Sequence, residues 1–169
     1  GGDELMAGYR NWYRMLYQLQ HPEGIKMQLK NLARKILFKK YRSSNMAKVH
    51  LHQNDYFSQK ELQRLTKFKA GYGYDKFINQ PFNSVDAAMR MDLQDYMPGD
   101  ILVKTDRAAM ANSLELRAPF LDVDFAEFCI ALPDHLKINN QGDKLLMRES
   151  FGHLWTESIW NRQKQGFGA

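Results

Sequence analysis

The residues best placed to do chemistry in this chain are acids and bases gathered at three places. The first is the opening, Gly1-Gly2-Asp3-Glu4-Leu5, where two carboxylates follow two glycines and precede an apolar helical pattern of Leu5, Met6, Tyr9, Trp12, Tyr13, Leu16 and Tyr17. Glycine lets backbone N–H groups come close to an anion, and a helix N-terminus adds partial positive charge. Acids at the same point can hold a hard divalent cation that bridges to phosphate oxygens. The plainer reading is that Asp3 is an N-cap and Glu4 a favourable charge against the helix dipole. The second place is YMPGDILVKTDRAAMANSLELRAPFLD, residues 96–122. In it Asp100, Lys104, Asp106 and Arg107 form a polar helical face, with Asp100 and Lys104 an i,i+4 pair in the favourable order. Leu102, Ala108, Ala109, Met110 and Leu114 are expected to cover apolar neighbours. Glu115 and Arg117, two apart, point to one side of an extended segment. Arg117 precedes an apolar run that reads as buried, so it needs a carboxylate from Glu115, Asp106 or Asp122. The bland account of this strip is a structural network of ion pairs. The third place is the block 25–42, with Lys26, Lys30, Arg34, Lys35, Lys39, Lys40 and Arg42 and no acid. It could attract nucleic acid, phosphate-bearing ligands or anionic lipid. Because Ile25, Leu29, Leu32, Ala33, Ile36 and Leu37 recur at helical spacing opposite the bases, the simpler expectation is a helix with a solvated basic face. It lacks the aromatic platform of single-strand binders, so nucleic acid is not an expected partner.

The elements that must position these groups read as helices. Pro22 and Gly24 break the first helix, and the basic helix follows to about Lys40. A short helical turn covers 45–53, where His50 and His52 are too isolated to suggest a metal site. Ser58-Gln59-Lys60-Glu61 is a capping box that starts a helix reaching about Lys69, and 70–74 is a loop. Asn83 or Ser84 caps an amphipathic helix through Tyr96, ended by Pro98-Gly99. Asp122 caps a helix over 123–132 that Pro133 terminates. Asn139-Asn140-Gln141-Gly142 is a turn before a helix over 143–153, and Thr156 caps a last helix ending near Arg162. Lys164-Gln165-Gly166-Phe167-Gly168 is a glycine-rich tail. Without any convincing alternating run, the expectation is an all-α, multi-helix bundle of seven to nine helices.

Composition sets outer bounds. Apolar content of 44% and charged content of 25% in 169 residues are ordinary for one globular domain or part of one. The single cysteine, Cys129, rules out an internal disulfide and suits a reducing compartment. No apolar run approaches the roughly eighteen residues of a membrane span, and no leader pattern opens the chain. A soluble, cytoplasmic protein with no membrane partner is therefore expected.

Three stretches together resemble one family. DILVKTDRAAMANSLELRAPFLD at 100–122 looks like the signature segment of the synthetase domain of glutamine-hydrolysing asparagine synthetases. GGDELMAGY at 1–9 looks like the end of that domain's pyrophosphate-proximal loop, and NRQKQGFG at 161–168 like its late R-x-K-Q-G-F motif. Their order matches the family, whereas 20–79 carries no recognisable motif. The resemblance makes 1–169 the C-terminal helical part of a synthetase domain whose remainder is α/β and adenine-nucleotide-hydrolase-like.

It also implies a chemistry. ATP would activate the side-chain carboxylate of aspartate as an acyl-adenylate, and glutamine-derived ammonia from a separate N-terminal glutaminase domain would attack it. Asparagine, AMP and pyrophosphate are the products. By this likeness Asp3 matches the acid that binds the Mg2+ on pyrophosphate, and Glu4 accompanies it as a catalytic acid. Lys164 matches the lysine that contacts the phosphates. Asp100, Lys104, Asp106 and Arg107 match a polar helix near the aspartate and AMP pocket, and Glu115, Arg117 and Asp122 match its structural support. The physics agrees: adenylation builds negative charge at the phosphates, which a cation and a lysine lower in energy. A lysine on a glycine-rich tail can close over them.

The chain also departs from the family pattern. The family's ATP-binding S-G-G-x-D-S loop and the glutaminase cysteine are not in this sequence, so the chain alone is expected to lack ATP-dependent activity and to bind ATP and Mg2+ poorly. Three other readings stand beside this one. A related amide-forming or β-lactam-type synthetase shares the fold and much of the motif set. Gly1 to Leu5 differs by one residue from the GGDEF signature of diguanylate cyclases, but runs straight into a helix where that fold has a hairpin. Finally, the basic helix 25–42 could serve a non-catalytic interaction module.

Overall fold

The computed structural model describes residues 1–38, 41–54, 57, 59–66, 79, 84–160 and 162. Among them every regular element is helical, with nine helices and no strand, so the all-α expectation is met. Helix α1 is Gly2–Leu5, and α2 joins a wide π-type turn, Arg10–Arg14, to Met15–Gln20. Next come α3, Gly24–Leu37; α4, Met46–Asn54; and α5, Gln59–Thr66. Helix α6 is one long run of three parts, Val85–Met91, the π-type Asp92–Ile101 and Leu102–Met110. A 3-10 turn, Pro119–Leu121, leads into α7, Val123–Ala131. After the 3-10 turn Asp134–Leu136, α8 is Leu145–Phe151, with a 3-10 extension Gly152–Leu154, and α9 is Glu157–Trp160.

Several boundaries follow from the caps read in the sequence. Ser84 Oγ accepts from Asp86 N at 3.2 Å and starts α6. Asp122 Oδ1 accepts from Phe125 N at 3.2 Å and starts α7. The Asn139 carboxamide accepts from Gln141 N and Gly142 N, both at 2.8 Å, which closes the expected turn. The capping serine Ser58, the loop 70–74 and Lys164 lie outside the described residues.

Two helices run differently from their expected course. The opening segment is not one helix from Leu5 to Tyr17. Ala7 takes a left-handed φ of 55°, which turns the chain back between α1 and α2. That conformation costs an alanine roughly 1 kcal/mol, and full burial of Ala7 in the core offsets it. Pro98-Gly99 does not end α6 either. Pro98 sits inside the π-type stretch, whose wider coil removes the clash a proline ring makes with the carbonyl four residues back in a tighter helix.

The core is built where α1, α2, α4 and α6 meet. Tyr13, Leu16, Val49, Val85 and Ala88 are fully buried together with Ile138 from the loop before α8. Each large side chain withdrawn in this way contributes about 1.5–3 kcal/mol. A second cluster places Leu5 and Met6 against Cys129 of α7, with Phe120, Phe125 and Leu146 packed around them. Burial raises the Cys129 thiol above its ordinary value, so it stays protonated in the core. The segment 1–8 thus lies between both clusters, and its backbone is held from two sides.

Helix α3 keeps Lys26, Lys30 and Lys35 in solvent, as a solvated basic face requires, but its apolar side is not covered. Its apolar stripe faces solvent: Ile25 is 76% exposed, Leu29 61%, Leu32 55% and Ile36 62%. The side turned to the body carries Asn31, which is buried and donates from Nδ2 to the Gln18 carbonyl at 2.6 Å. Gln18 lies in the last turn of α2, where carbonyls have no partner within the helix. This bond ties α3 to the end of α2 on the side opposite its apolar stripe. Its C-terminus is closed by Arg42, which donates to the Lys35 and Ile36 carbonyls at 2.9 and 3.0 Å.

Candidate active site

The opening acids separate as soon as they are placed. Gly1, not Asp3, is the N-cap of α1, so the expected capping role of Asp3 is not realised. Asp3 instead holds the Lys144 ammonium, Nζ to Oδ1 at 2.7 Å, with both side chains about three-tenths exposed or less. Lys144 adopts a left-handed backbone, φ 52°, at the start of α8, and this aims its side chain back to α1. Gly8 completes the arrangement. Its N–H donates to the Asp3 carbonyl at 2.8 Å, and a Cβ there would collide with both the Asp3 carboxylate and the Lys144 side chain. An acid, a lysine and a close-packed glycine thus form a small lip at the surface.

Glu4 points inward and is 1% exposed. It accepts from the Tyr9 hydroxyl at 2.5 Å and lies 3.1 Å from the Gly1 nitrogen. Burial, then the hydrogen bond to Glu4, hold the Tyr9 hydroxyl far above its ordinary value, so it remains a donor. Glu4 also lines a cleft with Asp86, Arg90 and Lys137, in which Lys137 Nζ is 3.1 Å from Asp86 Oδ1. Two acids and two bases in one cleft keep it near electrical neutrality. Glu4 thus ties α1 to Tyr9.

The polar face of α6 is largely in solvent. Asp100 and Lys104 pair at 2.7 Å as expected, and Asp106 and Arg107 are both exposed. The expected apolar cover is absent at Met110, 55% exposed, and Leu114, 59% exposed. Arg117 takes Glu115 as its carboxylate at 2.6 Å. The run after it is not buried, however, and the pair stands in water at 84% and 70% side-chain exposure. Asp122 acts as the helix cap described above.

Two features escaped sequence reading. Lys144 carried no local signal, because its closeness to Asp3 spans 141 positions by their numbers (144 − 3). The other is a buried polar cluster: Asp92 accepts from the Tyr13 hydroxyl on Oδ2 and lies 2.8 Å from His50 Nε2 on Oδ1. All three are essentially inaccessible. They bolt α2, α4 and α6 together directly behind the turn that presents Asp3. A single acid within an amphipathic helix gives no warning that it points to the core.

Whether these residues suit Mg2+ can be judged from their chemistry. Mg2+ keeps several waters and takes one or two carboxylates together with phosphate oxygens. Asp3 offers one hard, partly exposed carboxylate, and no group of three potential ligand residues occurs among the described residues. That donor set fits a phosphate-bridged cation rather than a closed metal site.

Comparisons with known proteins bear on the family. The family model described as asparagine synthase matches residues 1–169. Asparagine synthetase [glutamine-hydrolyzing] 1 of Bacillus subtilis (strain 168) is 40% identical over 86 residues, covering 51% of this chain and 14% of that protein. The asparagine synthetases [glutamine-hydrolyzing] of Gallus gallus and Homo sapiens are 35% and 34% identical over 100 residues, each covering 57% of this chain and 18% of theirs. The chain thus spans less than a fifth of the length of these relatives. No solved structure gives a significant match. With the model match running from the first residue to the last, the chain belongs to the asparagine synthase family.

Proposed function

We propose that residues 1–169 form the C-terminal helical part of a synthetase domain in an ATP-dependent, amide-forming ligase of the cytoplasm. The reaction adenylates the aspartate side chain and joins ammonia released from glutamine, giving asparagine, AMP and pyrophosphate. The observation that carries this reading is the Asp3–Lys144 pair, packed closely against Gly8, in a chain that matches the family throughout.

In this reading Asp3 and the phosphates would share Mg2+, which when bound neutralises the charge that grows on the departing pyrophosphate. Lys144, released from Asp3 as the acid turns to that partner, contributes a second positive charge beside the same oxygens. Lys164, by the family resemblance, would contact the same phosphates. Asp100, Lys104, Asp106 and Arg107 lie on the side toward aspartate and the nucleotide, with Glu115, Arg117 and Asp122 supporting them. Glu4 fixes the backbone that presents Asp3. ATP cannot be held without the family's S-G-G-x-D-S loop, so the isolated chain is inactive.

Aspartate-dependent ATP–pyrophosphate exchange tests this. The 169-residue chain alone gives none. Joined to the upstream part of the Bacillus subtilis relative it gives exchange, and Asp3→Asn or Lys164→Ala lowers that exchange by about 100-fold or more. Exchange by the chain alone, or an active chimera indifferent to both substitutions, overturns the proposal.

A further inference from the structure

The Asp3–Lys144 pair depends on a backbone conformation that lysine does not favour. Lys144 has a left-handed φ of 52°, where a Cβ crowds the carbonyl that follows it. The groups that hold it there belong to Arg148, one turn further along in α8. The Arg148 side chain donates from Nε to the Asp143 carbonyl at 3.0 Å. Its backbone N–H donates to the Lys144 carbonyl, also at 3.0 Å. These two carbonyls belong to the planar peptide units on either side of the Lys144 Cα, so one residue restrains both torsions between them. The guanidinium is itself held from its far side. Nη1 donates to the Trp160 carbonyl at 3.3 Å, and the group lies 5.5 Å from the centre of the Trp160 ring. Nη2 is 3.7 Å from Asp143 Oδ1. Gly152 admits the indole, because a Cβ at that position would collide with it. The planar fork of an arginine serves these directions together, which the point charge of a lysine does not.

We infer that Arg148 is a positioning residue: by fixing the peptides that flank Lys144, and by resting on α9, it keeps the Lys144 ammonium aimed at Asp3. The catalytic consequence rests on the ligase reading, in which that ammonium stands beside the pyrophosphate oxygens. Arg148 acts through Lys144 rather than on the phosphates themselves. Without it Lys144 relaxes to the right-handed backbone that lysine prefers, and its side chain leaves the acid.

Two experiments test this, one of them without catalysis. In the 169-residue chain, acetylation of Lys144 by limiting acetic anhydride is followed by mass spectrometry. Arg148→Met raises that rate about threefold, toward the rate seen with Asp3→Asn. The exposed Lys26 and Lys48 serve as internal controls and keep their rates. In the chimera with the upstream part of the Bacillus subtilis relative, Arg148→Met raises the KM for pyrophosphate about tenfold in the exchange assay. The KM for aspartate stays unchanged, a split that general damage to the fold does not produce. Lys144→Met gives the same change, and the double substitution is no worse than Lys144→Met alone, because the two residues act as one unit. Arg148→Lys keeps the charge and the stem without the fork, so it serves where methionine impairs folding and shifts both readouts less, in the same direction. Losses at 144 and 148 that add up overturn the proposal, as does a Lys144 acetylation rate unchanged by either substitution at Arg148. A chimera without exchange in which the acetylation result holds removes the ligase reading and leaves Arg148 positioning Lys144.

Discussion

The charged pairs of this molecule form a series graded by water. At one end, Tyr13, Asp92 and His50 meet in the interior with no access to solvent. At the other, Glu115 and Arg117 meet at 2.6 Å with most of both side chains in water. By distance alone the two would rank alike, but their worth differs by roughly 3 kcal/mol or more. An exposed pair exchanges one set of good hydrogen bonds for another and is screened by salt. A buried group has no water to fall back on, so each partner becomes indispensable to the others. The Asp3–Lys144 pair lies between these extremes, with side-chain exposures of 25% and 31%.

The steepest way to break that comparison is Asp92→Ala. It leaves a tyrosine hydroxyl and an imidazole unpaired in the core and is expected to cost about 3–5 kcal/mol, read as a large drop in the urea midpoint. Gly8→Ala comes next. Its Cβ must displace Asp3 and Lys144, at about 1–3 kcal/mol in thermal melting. The third expectation concerns alkali. Burial first, and the Asp92 charge second, raise the Tyr13 hydroxyl above its ordinary value. Between the unfolded value near 10 and the higher folded one, the folded chain binds the extra proton. Its stabilising contribution is therefore complete below about pH 10 and lost as pH rises further. Tyr13→Phe flattens the fall in melting temperature between pH 9 and 11 relative to the unchanged chain, even though it lowers stability at neutral pH. The smallest effect is Glu115→Gln, expected within about 0.5 kcal/mol and vanishing in high salt. A loss near that of Asp92→Ala would show that the grading by burial is mistaken.

What the linear chain determined by itself was local. Ser84 and Asp122 sit where helices begin, because a side-chain oxygen beside orphan N–H groups needs nothing beyond its next two or three residues. The Asn139 turn and the Asp100–Lys104 pair were legible for the same reason. The family motifs at 1–9 and 100–122 were legible too, since their content lies in residue type and order. Tertiary structure decided everything that depends on which way an element is rolled or on a contact across the chain. Helical periodicity announces that α3 has an apolar stripe but not which way it faces, and in the structure the stripe is outward while Asn31, on the opposite side, bonds to Gln18. Periodicity likewise does not say that Asp92 would be drawn inward by Tyr13 and His50, or that Lys144 would return to Asp3. Such partners are brought together by the collapse of the whole core, and no window on the sequence contains both.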